Sequence, residues 1–266
     1  MNTSYSNSPF ERYRTQCEQT IYTLDFPKDF YKKCILGNSM YNNPIPCYSF
    51  GIGDTKILLT GGVHGREAIN SFALLSMLVH YTSHFTCYSS WFSSHTLYII
   101  PMLNPDGYVR SLSESLFKNN GNNVDINRNF PCKLWQKKWA NDTPASEIET
   151  QILIDFFEQY SIDYYFDIHS RGKGIYYYRS SMPATYNAIQ KSYGEQFANF
   201  LSYQLYDPSQ ETNTNDTGGN TVQFFSETYQ KPAFTIETLD EKIGFPIPLS
   251  YVNEIFHDLV NLILLL

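Results

Sequence analysis

Residues 56–67 read Lys56-Ile-Leu-Leu-Thr60 and then Gly61-Gly-Val-His-Gly-Arg-Glu67, and the way this stretch folds decides the architecture. The first five residues form an apolar run suited to a buried strand, and a helical pattern leads away from Ala68. His64 and Glu67 therefore stand where a strand ends and a helix begins. They are three residues apart, so both side chains can turn toward one point. An imidazole and a carboxylate so placed suit a zinc ion, which takes a small tetrahedral shell of N and O donors. The same spacing also arises by chance, so its meaning depends on the rest of the chain.

The alternation continues on both sides of this stretch. Strands are expected at Cys47–Phe50, Lys56–Thr60, Thr96–Met102, Tyr164–Ile168, Gly174–Tyr178 and Ala233–Glu237. Helices are expected at Glu67–His84, Ser146–Tyr160, Thr185–Leu205, Thr221–Tyr229 and Tyr251–Leu264. Ser146 is the expected cap of its helix, with Glu147 and Glu149 near the positive end of the dipole. Short apolar strands alternating with helices predict an α/β fold whose sheet is covered on both faces. Catalytic groups in such sheets gather at strand ends. Residues 1–45 read as a polar, irregular lead-in packed on a single domain that spans 1–266. The apolar tail from Leu259 to Leu266 reads as the last turns of a core-packed helix.

With 266 residues and an apolar share of 42%, the chain is long enough to bury one sizeable core. Its 22 Tyr and 19 Phe suit a broad core and a groove that holds a substrate. A formal charge of −7 without basic clusters argues against nucleic acid as a partner. The five cysteines form no CxxC pair, which argues against a cysteine zinc site or a full disulfide framework. The first residues lack the basic and apolar regions of a secretory signal, and the apolar tail is too short to span a membrane. A cytoplasmic location and no membrane partner are the resulting expectations. The long polar segments 103–132 and 206–222 are candidate functional loops.

Two further runs share the logic of the first. Tyr164-Tyr-Phe-Asp-Ile-His-Ser170 is an apolar strand ending in His169, and Ala233-Phe-Thr-Ile-Glu237 ends in Glu237. A carboxylate closing so apolar a run is costly to bury unless a cation or hydrogen bonds compensate. A catalytic zinc site needs three protein ligands, an open position and a base. His64, Glu67 and His169 supply the ligands and Glu237 the base, a set suited to metal-assisted amide hydrolysis. Between them lies Val124-Asp-Ile-Asn-Arg-Asn-Phe-Pro131, where Arg128 offers a planar fork for a carboxylate and Asn127 a neutral donor. His80 and His84 share a helix face at i, i+4 but have no third ligand, and they read as helix-end surface residues.

Together these residues resemble the zinc metallocarboxypeptidase family, of which carboxypeptidase A is the best-known member. The matching pieces are His64-Gly-Arg-Glu67, Asn104-Pro-Asp-Gly107, Asn127-Arg-Asn129, Asp167-Ile-His-Ser170, Gly218-Gly219 and Thr235-Ile-Glu237, in the family's order over about residues 45–260. The resemblance implies a mixed, mainly parallel eight-stranded sheet with helices on both faces. It implies one zinc ion on His64, Glu67 and His169, with Glu237 as general base and acid. Asn127 and Arg128 would hold a substrate's terminal carboxylate. Arg66 and Ser170 would line the groove, and Thr221, with Asn220 and Gln223, the leaving-residue pocket.

Within that family the chain looks most like bacterial peptidases that cut the γ-D-glutamyl–diaminopimelate bond of cell-wall muropeptides. The pointers are His169-Ser-Arg-Gly-Lys-Gly-Ile-Tyr-Tyr177, Pro144-Ala-Ser-Glu-Ile-Glu-Thr150 and Lys231-Pro-Ala-Phe-Thr-Ile-Glu237. Two positions depart from the family. Lys118 falls where bacterial members carry an arginine that polarises the scissile carbonyl; it keeps the charge without the fork, and Arg110 is the alternative. The mobile-loop tyrosine of digestive members has no counterpart in Ser209–Thr217, and Tyr206 is only a distant candidate. The competing readings are a carboxypeptidase for α-linked peptides and a non-catalytic peptide-binding member of the fold, for which Lys118 is the best argument.

Overall fold

The computed structural model describes residues 4–138, 140, 142–206 and 218–266. Eight strands form one sheet: β1 (Tyr31–Asn38), β2 (Pro44–Gly51), β3 (Thr55–Thr60), β4 (His95–Ile100), β5 (Tyr164–Ser170), β6 (Gly174–Tyr176), β7 (Gln204–Leu205) and β8 (Ala233–Thr238). The α-helices among the described residues are α1 (Pro9–Thr23), α2 (Ile69–Ser83), α3 (Phe85–Ser94), α4 (Pro105–Ser111), α5 (Ile148–Gln159), α6 (Ala184–Leu201), α7 (Thr221–Tyr229) and α8 (Val252–Val260).

The strand order is β1-β2-β4-β3-β5-β8-β6-β7. The four central strands β4, β3, β5 and β8 run parallel, whereas β1 and β2 on one side and β6 on the other are joined antiparallel. The expected mixed, mainly parallel sheet is the one observed. Alternate residues of the central strands feed two separate cores. Ile57 and Leu59 of β3, Phe166 and Ile168 of β5, and Phe234 and Ile236 of β8 pack toward α2, α6 and α8. Leu58, Tyr165 and Ala233 face the opposite core with α5 and α7. A sheet apolar on both faces must be covered on both, and this is why these strands read as continuous apolar runs.

The structure corrects several expectations. Of residues 1–45, those from 4 onward are described and are not irregular. Ser8 accepts a hydrogen bond from the Glu11 backbone and Pro9 opens α1, which buries Phe10, Cys17 and Ile21; β1 then forms the sheet edge. Ser146 caps nothing: α5 starts at Ile148, and the Ser146 hydroxyl donates to the Glu147 carboxylate. The expected helix Thr185–Leu205 stops at Leu201, where Ser202 turns left-handed and the chain enters β7. Helices α3 and α4 went unread because each is short, and α3 fully buries only Phe92 of its apolar residues. At the C-terminus α8 ends at Val260, and a 3-10 turn over Ile263–Leu265 finishes the chain with Leu259, Leu262 and Ile263 in the core. Most of the 206–222 loop lies outside the described residues. Among the described residues, no helix is long and apolar enough to cross a membrane.

Candidate metal centre

β3 delivers the chain to Gly61, and a 3-10 turn over Gly65–Glu67 leads into α2. The Glu67 N–H donates to the His64 carbonyl, so both residues sit on one turn with their side chains to the same side. Gly65 permits this: a Cβ there would lie 2.2 Å from the Gly107 backbone at α4. β5, two places away in the sheet from β4, brings His169 to the same end.

The three side chains converge. His64 Nδ1 lies 2.9 Å from Glu67 Oε1, His169 Nδ1 3.1 Å from Glu67 Oε2, and the two Nδ1 atoms are 3.2 Å apart. A tetrahedral ion with bonds of about 2 Å sets its donors roughly 3.3 Å apart, so this spacing fits zinc. All three residues are buried, and theirs is the one group of three or more such side chains able to hold a metal among the described residues.

A carboxylate backs each imidazole. Asp167 Oδ2 accepts from His169 Nε2 at 2.8 Å, and its oxygens also accept from Thr60 and Thr221 hydroxyls at 2.6 Å. Asp125 Oδ1 lies 3.3 Å from His64 Nε2, in ion-pair contact without hydrogen-bond alignment. Its other oxygen meets Lys118 Nζ at 2.6 Å. The hydrogen bond to Asp167 fixes the His169 tautomer that leaves Nδ1 free to bind a metal. Burial opposes the ionisation of Glu67, Asp167 and Asp125, yet the imidazoles, joined at Asp125 by Lys118, hold all three below the usual carboxylate range. Burial also opposes the charge on His169, but Asp167 and Glu67 outweigh it and raise its pKa well above the ordinary value.

Glu237 differs from these carboxylates. It is the direct partner of His169 in the β5–β8 register. Burial, with Glu67 and Asp167 adding to it against the two imidazoles, pushes its pKa up to about 7. Its Oε2 is buried without a hydrogen-bond partner. A cavity of about 380 Å³ opens over these residues, lined also by Arg66, Lys118, Asn127, Arg128, Ser170, Arg171, Glu241 and Phe245.

The other expected residues are placed as follows. Asn127 Oδ1 accepts from the Thr221 N–H, which leaves its amide nitrogen as the donor for the cavity. Arg128 lines the cavity, and one of its nitrogens donates to the Asn127 carbonyl. Arg66 stacks on Phe245 with its Nε 3.7 Å from Glu67. Ser170 lines the cavity, but its hydroxyl is held by Asn70 and Thr238. Thr221 is fully buried between Asp167 and Asn127 and does not line the cavity. Nor do Asn220 and Gln223: Asn220 caps α7, and Gln223 bonds Ser181 and Glu227. Arg110 is turned away to Glu114 and the Phe117 ring, so of the two candidates only Lys118 lines the cavity. Tyr206 stacks on Tyr176 outside the cavity, and the expected loop Ser209–Thr217 lies outside the described residues. His80 and His84 pack ring to ring at 4.4 Å and are bonded to Tyr88 and to the His80 carbonyl respectively.

Asp125, Asp167, Arg171, Glu241 and Phe245 were not singled out from the sequence. For Asp167 a signal existed, since it stands two residues before His169 on a strand and so shares its face.

A profile for zinc carboxypeptidases matches residues 25–261. The chain belongs to the zinc carboxypeptidase family. Its members are zinc metallopeptidases, and His64, Glu67 and His169 form the grouping that suits the metal. Among curated relatives, γ-D-glutamyl-L-diamino acid endopeptidase 1 of Lysinibacillus sphaericus is 22% identical over 86% of this chain and 65% of that protein. Carboxypeptidase D of Anas platyrhynchos is 26% identical over 54% of this chain, and the match covers 11% of that protein. The chain thus spans less than two thirds of these relatives. In fold it is similar to bovine thrombin-activatable fibrinolysis inhibitor, solved with a tick carboxypeptidase inhibitor, with a TM-score of 0.80, 19% identity, and 96% and 94% of the two chains covered. It is also similar to the murein-tripeptide amidase MpaA of Escherichia coli O157, with a TM-score of 0.55, 18% identity, and 88% and 96% covered.

Proposed function

We propose that this chain is a zinc-dependent peptidase that hydrolyses the amide bond beside a C-terminal residue, with γ-D-glutamyl-meso-diaminopimelate muropeptides as its substrate. The carrying observation is the convergence of His64, Glu67 and His169 at one end of the central strands with the unpartnered carboxylate of Glu237 beside them. A zinc ion held there supplies Lewis acidity to a water and to the scissile carbonyl. Glu237 takes the water's proton and passes it to the leaving amine, a task suited to a carboxyl poised near neutrality. Asn127 and Arg128 hold the terminal carboxylate, and Lys118 supports the developing oxyanion.

The substrate reading rests on charge. Four cations, Arg66, Lys118, Arg128 and Arg171, line the cavity. An α-linked peptide presents one terminal carboxylate, whereas a γ-linked D-glutamate adds a free α-carboxylate close to the scissile bond. Arg66 and Arg171 both stack on Phe245, at 4.8 and 5.1 Å from the ring centre, and are suited to receive that extra anion. The similarity to an endopeptidase named for γ-D-glutamyl bonds, over most of this chain, supports the same reading. Incubation of the zinc-loaded protein with L-Ala-γ-D-Glu-diaminopimelate and with α-linked peptides, read by mass spectrometry, tests it. Cleavage of the α-linked set alone would replace the muropeptide reading with an ordinary carboxypeptidase. Cleavage of neither would leave a peptide-binding member of the fold.

A further inference from the structure

Cys34 of β1 and Cys47 of β2 are direct partners in the antiparallel register. Residues so paired have Cα atoms about 4.5–5.5 Å apart, inside the range of about 4.4–6.8 Å that a disulfide bridges. The Cys47 thiol, beside Cys34, donates to the Tyr48 carbonyl at 3.8 Å. Cys34 is exposed, whereas Cys47 is 3% exposed behind it. Both line a cavity of about 500 Å³ with Lys32, Lys33, Asp54, Lys56, Tyr98 and Tyr160, on the sheet edge away from the zinc ligands. Lys33 is tied to Glu18, so Lys32 and Lys56 against Asp54 leave the cavity one net positive charge, which favours anions.

We infer that Cys34 and Cys47 are an attacking and a resolving thiol that together take oxidising equivalents from a small acidic disulfide entering this cavity. The Cys34 thiolate attacks one sulfur of the disulfide, a new S–S bond forms, and one small thiolate leaves. Cys47 then gives its proton to solvent and attacks the Cys34 sulfur, and the second small thiolate leaves. Two protein thiols are oxidised to one bridge, and one small disulfide is reduced to two thiols.

The division of labour follows from the surroundings. The neighbouring Cys47 thiol lowers the Cys34 pKa to about 7, against burial that would raise it. The same contact and burial push Cys47 up. At pH 7 Cys34 therefore holds roughly fifteen times the thiolate of an ordinary cysteine, while its lower basicity costs about fivefold in nucleophilicity. The net advantage over an ordinary cysteine is about threefold at pH 7, and it reverses at about pH 9, where an ordinary thiol is mostly ionised as well.

Oxidised glutathione is the probe, and exposed Cys87 of α3 is the internal control. No lysine or arginine lies between Cys34 and Cys47, so trypsin leaves both in one peptide, 34–56. In the zinc-loaded protein the expected result is that this peptide loses two hydrogens and both alkylation sites, while Cys87 acquires a glutathione adduct. Cleavage after Met40 then separates the halves only after reduction. Cys47→Ser should trap the adduct on Cys34, and iodoacetamide should modify Cys34 about threefold faster than Cys87 at pH 7 and more slowly at pH 9. Equal glutathione adducts on Cys34 and Cys87 of the wild-type protein, with no internal bridge, would overturn the inference whether or not the variant folds.

Discussion

His169 and Glu237 face each other across β5 and β8, paired in parallel register. Adjacent strands lie about 4.8 Å apart, so the sheet itself sets a metal-binding imidazole beside the carboxylate assigned as base. No loop has to order for the two to meet. The following predictions test the roles that this placement suggests.

Glu237→Gln should keep its zinc and lose turnover by about 10²–10⁴-fold, the usual worth of a positioned base. Metal content and kcat measured on the same preparation check this. Turnover within tenfold of wild type would remove Glu237 from the role, and loss of zinc would make it a ligand instead. His64→Ala, by contrast, should lose the metal.

The raised pKa of Glu237 also predicts how the metal-free protein responds to pH. Below the unfolded-state pKa both states are protonated and the group is neutral to stability. As pH rises, the unfolded chain ionises first, and the penalty on the fold grows until pH passes about 7. The full penalty is about 3 kcal/mol by the pKa-to-energy conversion. Apo Glu237→Gln should therefore be more stable than apo wild type at pH 8 and equal to it near pH 4, as read by urea denaturation. A difference that does not depend on pH would show that the carboxyl is ordinary in the fold.

Asp167→Asn should weaken zinc binding about 10–100-fold, because the amide can neither hold the His169 tautomer nor supply its charge. Competition with a chelator reads this directly. Thr60 and Thr221 each lose a charged acceptor in the same variant, so a lower Tm should accompany the weaker binding. Unchanged affinity would reduce Asp167 to a structural group.

Lys118→Ala should lower kcat about 100-fold with a smaller rise in KM, if the ammonium acts on the transition state. Lys118→Arg should restore most of the loss. Lys118 is also paired with Asp125, which leans on His64, so zinc content has to be measured alongside. A loss of metal in Lys118→Ala that matches its loss of activity would assign the lysine to positioning His64.

Removing the second guanidinium tests the substrate reading. Arg171→Ala should cost about 1–3 kcal/mol of kcat/KM on L-Ala-γ-D-Glu-diaminopimelate and little on an α-linked peptide. Equal losses on both would mean that Arg171 supports the cavity wall rather than reading the γ-linkage.

Much of the fold was legible because the central strands are buried on both faces. Apolar runs such as Ile57–Leu59 and Tyr164–Ile168 can then only be strands of a covered sheet. The edge was less legible. β1 is mostly exposed and carries Lys32 and Lys33, so it lacks the apolar alternation that marks a strand, and α1 shows core residues only at Phe10, Cys17 and Ile21 among polar ones. Ser146 failed as a cap because the helix starts only at Ile148 and the Asn129 amide donates to the Ser146 oxygen.

The metal-binding set and the carboxylate proposed as its base were legible in the sequence itself, since His169 and Glu237 each close an apolar run where a polar group is expensive to bury, and His64 and Glu67 stand three residues apart just after another. Tertiary structure alone decided which polar residues serve that set. Asp125 and Asp167 became its supports, Thr221 and Ser170 turned inward to tie strands and loops together, Arg110 swung out to Glu114, and Arg171 with Phe245 entered the cavity wall. The physical reason is reach. Burial is written locally in the pattern of apolar residues, whereas a hydrogen bond between residues 50 or 100 positions apart exists only once the sheet has set their strands side by side.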